Sequence, residues 1–261
     1  MGIFEHKAAV VRNDEVAPST FLMELESPSI ASAAKPGQFV MLRVWGGIDP
    51  LLRRPFSICS TGKGTILLLY RVVGKGTRVM AETEAGTQLS VLGPLGRGFE
   101  PPGTGEDCLL VAGGMGIAPL AFLARSWEDK SVSFMAGYGT ASQIIASEHM
   151  GIHGIEIALA TDDGSAGFHG PVTGLLEGAL EREGKKIVYS CGPAAMLKRV
   201  ASLCREKQVD CQVSLETVMA CGLGACQGCA VPAAAGAGKN TYHVCQDGPV
   251  FSGLSIDWEK L

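Results

Sequence analysis

The sequence is poor in aromatic residues, 6% of 261, and has no basic surplus: 22 Lys and Arg stand against 26 Asp and Glu, a formal net charge of −4. Without that surplus there is no electrostatic footprint for gripping phosphate backbones, so nucleic acid is not an expected partner. Long hydrophobic runs are missing too. The longest uncharged apolar stretch, Cys108 to Ala124, is interrupted by Gly113, Gly114, Gly116 and Pro119. It is short for a membrane span and reads better as strand, turn and helix, so no membrane attachment is expected. The opening residues MGIFEHKAAVVRND lack the basic region, apolar run and small-residue cleavage site of a secretory signal. A cytoplasmic location is the expectation. A reducing compartment speaks against a disulfide scaffold, and nine cysteines there mean metal or redox chemistry where they cluster.

What is present describes a globular chain. Apolar residues make up 46% and charged residues 18%, and the length suffices for two or three modest domains. Thirty-five glycines without a Gly-x-y period imply many tight turns and backbone that comes close to ligands. The first hundred residues read as all-β. Short apolar or alternating runs at Val10–Arg12, Thr20–Leu25, Gln38–Val44, Phe56–Cys59, Thr65–Val73 and Gln88–Leu92 predict a closed or nearly closed barrel. A breaker-rich linker follows at Glu100–Asp107. Strands at Cys108–Ala112, Val132–Ala136, Ile155–Ala160 and Lys186–Cys191 then alternate with helices at Pro119–Trp127, Gly174–Glu183 and Ala194–Lys207. That alternation predicts a parallel sheet with crossover helices. From about Gln212 the elements become short and cysteine-rich, and Pro232–Gly238 reads as a loop.

Four of the cysteines carry the strongest signal. Cys221, Cys226, Cys229 and Cys245 are spaced C-x4-C-x2-C-x15-C, the plant-type 2Fe-2S pattern. Gly222, Gly224 and Gly228 let the chain fold tightly and aim amides at the sulfurs. A structural zinc site is the alternative, although zinc knuckles are usually two short cysteine pairs. The dispersed cysteines read as small buried hydrophobes.

Two further segments suit nucleotide cofactors. In Leu52-Arg53-Arg54-Pro55-Phe56-Ser57-Ile58 an Arg, a ring and a hydroxyl could clamp a flavin. Leu69-Tyr70-Arg71 ends a strand, and Gly74-Lys75-Gly76-Thr77 offers bare amides for a phosphate nest. Adjacent arginines on a solvated edge and a core Tyr70 are the plain alternatives. Leu109 to Leu120 reads as strand, glycine turn and helix start, with Gly113, Gly114 and Gly116 where a dinucleotide phosphate could approach, although Pro119 breaks the GxGxxG fingerprint. Cys191-Gly192-Pro193 ends a later strand and Thr161-Asp162-Asp163-Gly164-Ser165 another; both could line the same crevice, the latter alternatively as an Asx turn.

Together, Arg54-Pro55-Phe56-Ser57, the Gly113–Leu120 turn, Thr161–Ser165 and Cys191-Gly192-Pro193 resemble ferredoxin–NADP reductase-type modules. With Ser214-Leu215-Glu216, Met219-Ala220-Cys221-Gly222 and Cys245-Gln246-Asp247-Gly248-Pro249-Val250-Phe251 added, nearly the whole chain resembles the electron-transfer subunits of NAD-linked (type B) dihydroorotate dehydrogenases. The resemblance implies three domains: an FAD-binding β-barrel over 1–100, a Rossmann-like α/β NAD-binding domain over 101–211 and a 2Fe-2S domain over 212–261. It places FAD on Arg54, Pro55, Phe56, Ser57, Leu69, Tyr70, Arg71, Gly76 and Thr77. NAD falls on Gly113, Gly114, Gly116, Cys191, Gly192 and Pro193, and the cluster on Cys221, Cys226, Cys229 and Cys245. Val218 departs from the pattern, because a basic residue is expected before Met219.

The implied role is to carry electrons from an FMN-containing catalytic subunit that oxidises dihydroorotate, through the cluster and FAD, to NAD+ in pyrimidine (UMP) biosynthesis, within a heterotetramer of two subunits each. A flavin between a one-electron cluster and a hydride acceptor makes chemical sense, and no general acid or base is expected for substrate chemistry. Cys191 is a candidate for positioning the nicotinamide. A docking face is expected near Cys226 and Gly228, with Leu223 and Val231 as interface residues. The open alternatives are the flavin subunit of an NAD(P)H:ferredoxin or sulfide-linked reductase, a stand-alone reductase, and a zinc-stapled module without redox work.

Overall fold

A computed structural model describes residues 2–44, 46–127 and 131–261. Six strands, β1 (Phe4–Ala17), β2 (Thr20–Glu26), β3 (Phe39–Arg43), β4 (Arg54–Thr61), β5 (Thr65–Arg71) and β6 (Gln88–Leu95), close into an antiparallel barrel in the order β1-β2-β5-β4-β3-β6. Val10, Met23, Leu25, Val40, Leu42, Ile58, Ile66, Leu68 and Val91 fill it. Two short helices, α1 (Pro28–Ala33) and α2 (Lys75–Ala81), interrupt the strands. The sequence reading had no helix at either place. Six or seven residues are too few to display a helical period, and α2 opens with Lys75-Gly76-Thr77, which reads as a turn.

The second half contains β7 (Asp107–Gly113), α3 (Ile117–Ser126), β8 (Val132–Tyr138), β9 (Ile157–Thr161), β10 (Phe168–His169), α4 (Val172–Leu180), β11 (Lys186–Cys191), α5 (Ala194–Lys207) and β12 (Asp210–Ser214). The chain ends with a small β13 (Ala230–Pro232) and β14 (Thr241–His243) pair, then α6 (Val244–Asp247) and β15 (Val250–Ser252). Seven strands form one sheet in the order β10-β9-β8-β7-β11-β12-β15, parallel except for β15. β7 lies at its centre with every residue from Cys108 to Gly113 buried, as expected of a strand covered on both faces. Strand order reverses between β7 and β11. The crevice at the carboxyl ends of these two strands is therefore the topological switch point where α/β folds hold ligands.

The two halves share a core. Helix α3 buries Ile117 through Ala124 and packs against both β7 and the barrel strand β4. Leu22, Cys59, Leu67 and Leu69 of the barrel join the same apolar cluster as Leu110, Leu120 and Phe134. The Arg125 guanidinium donates to the Ser60 hydroxyl across this seam. The last strand returns to the main sheet: β15 pairs with β12, and the expected boundary at 211/212 falls inside β12.

Candidate functional site

A cavity of about 350 Å³ opens between the barrel, the start of α3 and the segment that follows β12. The barrel contributes Arg54, Pro55, Phe56 and Ser57 from β4, Leu69, Tyr70 and Arg71 from β5, and Gly76 and Thr77 from α2. Those nine are the positions assigned to the flavin from sequence, and all nine lie on this one wall. The adjacent arginines diverge where β4 begins at Arg54. Arg53 points to the barrel exterior, where it reaches Glu5 Oε1 at 2.5 Å and Ser90 Oγ at 2.9 Å, whereas Arg54 lines the cavity. Tyr70 is both core and wall. Its ring stacks on Phe21 and meets Phe56 edge-on, and its hydroxyl donates to Asn13 Oδ1 at 2.9 Å. Burial pushes that phenol up to about 12, with the Asn13 bond opposing.

The expected phosphate nest is the first turn of α2. Thr77 Oγ1 accepts from the amides of Val73 at 2.9 Å and Gly74 at 3.2 Å. Two amides near the expected nest are therefore already engaged, because the threonine caps its own helix.

Sequence reasoning missed the opposite wall, formed by Ser214, Leu215, Glu216, Thr217 and Met219 with Met115, Ala118 and Pro249. The signal was available in part, since β12 ends at Ser214, and chain leaving the carboxyl end of a parallel strand enters the ligand crevice. Glu216 lines the cavity with its side chain accessible, and desolvation by the surrounding protein holds its carboxyl above the usual carboxylate range.

Behind this wall, the six residues assigned to the dinucleotide meet at the ends of β7 and β11. A Cβ on Gly116 would lie 2.0 Å from the Cys191 carbonyl oxygen, and one on Gly113 would lie 2.6 Å from Met196 Sδ and 2.8 Å from Pro193 Cδ. These two glycines let the strand-to-helix turns interlock. Gly114 differs, with φ +51 and open space where its side chain would be. Cys191 is 1% exposed, and burial, with the Glu216 charge nearby, raises its thiol pKa; a bond with Ser214 opposes the shift. It is a closed, uncharged thiol. Thr161–Ser165 is an Asx turn: Asp163 Oδ1 accepts from the Ser165 amide at 2.9 Å and hydroxyl at 2.5 Å, and those bonds hold its carboxyl low.

Met219 continues through Ala220 into Cys221 and the cysteine loop. Gly222, at φ +73, fits where a Cβ would lie 2.6 Å from Met41 Cγ, so the loop is seated on the barrel. The sulfurs fall into two pairs. Cys229 and Cys245 are buried, with Sγ atoms 3.2 Å apart. Cys221 is half-buried and Cys226 exposed; the Cys226 amide donates to Cys221 Sγ at 3.4 Å and its thiol is also in hydrogen-bonding reach. Backbone amides surround the sulfurs: Leu223 N reaches Cys221 Sγ at 3.4 Å, and Gly224 N reaches Cys245 Sγ at 3.1 Å. Burial opposes ionisation of Cys221, yet these amides outweigh it and bring the thiol down to about 6. Burial and the Cys229 sulfur push Cys245 up to about 12. Two thiol pairs within a cage of N–H donors suit an anionic two-iron centre, with two thiolates for each iron. Val218 is 82% exposed and Leu223 47% exposed, whereas Val231, expected at an interface, is core at 4%.

The Asp247–Phe251 stretch binds these parts together. Arg97 N donates to Gly248 O at 2.5 Å and Leu215 N to Pro249 O at 2.9 Å, joining barrel, cavity wall and β15.

The iron-sulfur cluster binding domain of dihydroorotate dehydrogenase B matches residues 216–257. The chain is 40% identical to the dihydroorotate dehydrogenase B (NAD+) electron transfer subunit of Desulforamulus reducens, over 94% of this chain and 95% of that protein. It is 37% identical to the subunit of the same name from Geobacillus thermodenitrificans, over 95% and 97%. Among solved structures, an NADH-dependent reduced ferredoxin–NADP oxidoreductase studied for flavin-based electron bifurcation superposes with a TM-score of 0.85, at 30% identity, over 97% of this chain and 91% of that one. A ferredoxin–NADP+ reductase from Neisseria gonorrhoeae, solved with FAD and NADP, shares the fold at a TM-score of 0.66 and 18% identity, over 78% and 91%.

Proposed function

This chain belongs to the family of dihydroorotate dehydrogenase B (NAD+) electron transfer subunits, and from that premise we infer how its residues carry out the role. It passes electrons from dihydroorotate oxidation to NAD+, using a 2Fe-2S cluster and FAD. A flavin accepts electrons one at a time and gives them up as a pair, which links an iron-sulfur centre to a hydride acceptor.

Cys221, Cys226, Cys229 and Cys245 hold the cluster, and the amides of Leu223, Gly224 and Cys226 stabilise its sulfurs. Arg54 neutralises the pyrophosphate of FAD as a fixed guanidinium. Phe56 and Tyr70 would pack against the isoalloxazine, Ser57 would approach its polar edge, and Thr77, in the first turn of α2, would stand where the phosphates approach. Leu69, Arg71 and Gly76 complete the barrel side of the site, and residues 214–219 close the other. Gly113, Gly114, Gly116, Cys191, Gly192 and Pro193 form the NAD crevice, where the open side of Gly114 leaves room for a phosphate. The barrel, the parallel sheet and the cysteine loop serve as FAD, NAD and cluster domains. The partner is an FMN-containing catalytic subunit in a heterotetramer of two of each, in the cytoplasm. No helix among the described residues is long and apolar enough to cross a membrane.

The observation that carries this reading is continuity. The cavity lined by all nine flavin positions is closed on its opposite wall by Met219, two residues before the first cluster ligand. Co-purification with an FMN-containing dihydroorotate-oxidising subunit, followed by dihydroorotate-dependent NADH formation, tests it. The likeness to the ferredoxin–NADP oxidoreductase favours a second reading, the flavin subunit of a ferredoxin-linked reductase. Reduction of ferredoxin by the chain without any dihydroorotate-oxidising partner would select it.

A further inference from the structure

We propose that Asn13 is a positioning residue for FAD. From outside the cavity, its single amide ties Tyr70, on the ring side, to the helix that carries Gly76 and Thr77, and so fixes the span between the two ends of the flavin site. The inference rests on the FAD assignment above. Asn13 lies on β1, a strand that contributes no residue to the cavity wall. Its Oδ1 accepts from the Tyr70 hydroxyl of β5 at 2.9 Å. Its Nδ2 donates to three carbonyls at and just beyond the end of α2: Met80 O at 2.8 Å, Thr83 O at 3.2 Å and Ala81 O at 3.4 Å. A primary amide can accept on one side and donate on the other, and here each side ends on a different group of flavin-assigned positions.

The local structure explains how one β1 residue reaches both. β1 departs from regular register between Val10 and Arg12 and again between Glu15 and Ala17, and bulges of this kind re-aim nearby side chains. Its pairing with β6 stops at Ala9 and Gln88. The turn between α2 and β6 takes over that edge, with the Val10 amide donating to Thr87 O at 2.9 Å and the Gly86 amide to Val10 O at 2.7 Å. α2 therefore ends against β1, beside Asn13. The last carbonyls of a helix lack i+4 amide partners, and the Asn13 amide serves those of Met80 and Ala81. At the other end of the same seven-residue helix, Thr77 is buried and closes the first turn. A helix this short moves as one piece, so a shift at the Asn13 end displaces Gly76 and Thr77 as well. The Tyr70 ring stacks on Phe21 and meets Phe56 edge-on, and its hydroxyl bond to Asn13 fixes how far the ring stands into the cavity.

The full-length chain, depleted of flavin and retitrated with FAD, tests this. Flavin fluorescence reports affinity, and visible circular dichroism reports the seat of the bound ring. Asn13→Ala is expected to weaken FAD about ten- to hundredfold, the effect of losing buried hydrogen bonds, and to alter the flavin dichroism. Two further variants each cut one arm, and they decide the question where Asn13→Ala does not fold. Asn13→Asp keeps an acceptor for Tyr70 but loses the donors to α2, and FAD is expected to bind about tenfold more weakly with wild-type dichroism. Tyr70→Phe keeps the α2 arm and removes only the hydroxyl, and altered dichroism is expected. Wild-type FAD affinity in both Asn13 variants overturns the proposal, and so does wild-type dichroism in both Asn13→Ala and Tyr70→Phe. A loss of affinity that vanishes when the variants are compared at equal distance below their melting temperatures also overturns it, because Asn13 is then a stabilising residue alone. A wild-type chain that takes up no FAD contradicts the flavin assignment itself, which keeps the two failures distinct.

Discussion

Single residues at this site are held by contacts that leave little freedom. Gly116 has the tightest constraint, because any side chain would enter the Cys191 carbonyl. Gly116→Ala is expected to destabilise the protein by about 1–3 kcal/mol, as overpacking does, and to loosen the crevice where β7 and β11 end. Urea unfolding of the purified variant measures the loss, and an unchanged midpoint would remove the interlocking role. Cys245 differs because it lies outside the flavin cavity. Cys245→Ser is expected to lose iron and acid-labile sulfide while keeping the yellow chromophore, checked by metal analysis and an absorption spectrum. The four cysteines proposed to hold the cluster stand out by their spacing, since x4 and x2 gaps within one glycine-rich loop constrain geometry directly. Glu216 was named only as part of a family resemblance. Its place beside the cavity depends on a wall assembled from distant segments, and no local pattern reports that.

At the scale of elements, the barrel closes partly through charge. Glu24 on β2 accepts from Arg12 Nε on β1 at 2.8 Å and from the Thr65 hydroxyl on β5 at 2.8 Å. Burial opposes ionisation of this carboxyl, but Arg12 and Thr65 outweigh it and the pKa falls below the usual value. A carboxylate depressed in the fold contributes stability above its unfolded pKa, about 4.3, and loses it as pH falls through the lower folded value. Glu24→Gln is therefore expected to flatten the acid limb of a stability–pH profile followed by circular dichroism, and an identical limb would contradict the assignment. The strands that make this barrel were visible as apolar runs. Their lengths were not: Val10–Arg12 marks the middle of a fourteen-residue strand whose flanks carry mostly polar residues such as His6, Lys7, Asn13 and Asp14. β15 was missed because three residues contain too little pattern, and it acquires strand geometry only by pairing with β12.

For the whole molecule, the sheet and the shared core make the three modules interdependent. Ending the chain after residue 211 would cut β12 and remove β15, exposing the edge of β11 and taking Val213 and Phe251 out of the core cluster they help to fill. Such a fragment is expected to be insoluble or molten, with lost near-ultraviolet dichroism, and a soluble native-like fragment would show the modules to be independent. The order barrel, parallel sheet, cysteine loop was legible along the sequence; that the loop sits on the barrel through Gly222 and Met41 was not, because it is a contact between segments nearly two hundred residues apart. That contact seats the cysteine loop on the barrel that carries the proposed flavin wall, and the central claim is that cluster and flavin are electrically connected. Anaerobic titration of the purified protein with NADH, followed by visible absorption and low-temperature EPR, tests it most directly. The account predicts that the flavin band bleaches and the signal of a reduced two-iron cluster grows with it. A flavin that bleaches while the iron stays silent, or a colourless protein holding zinc, would contradict it.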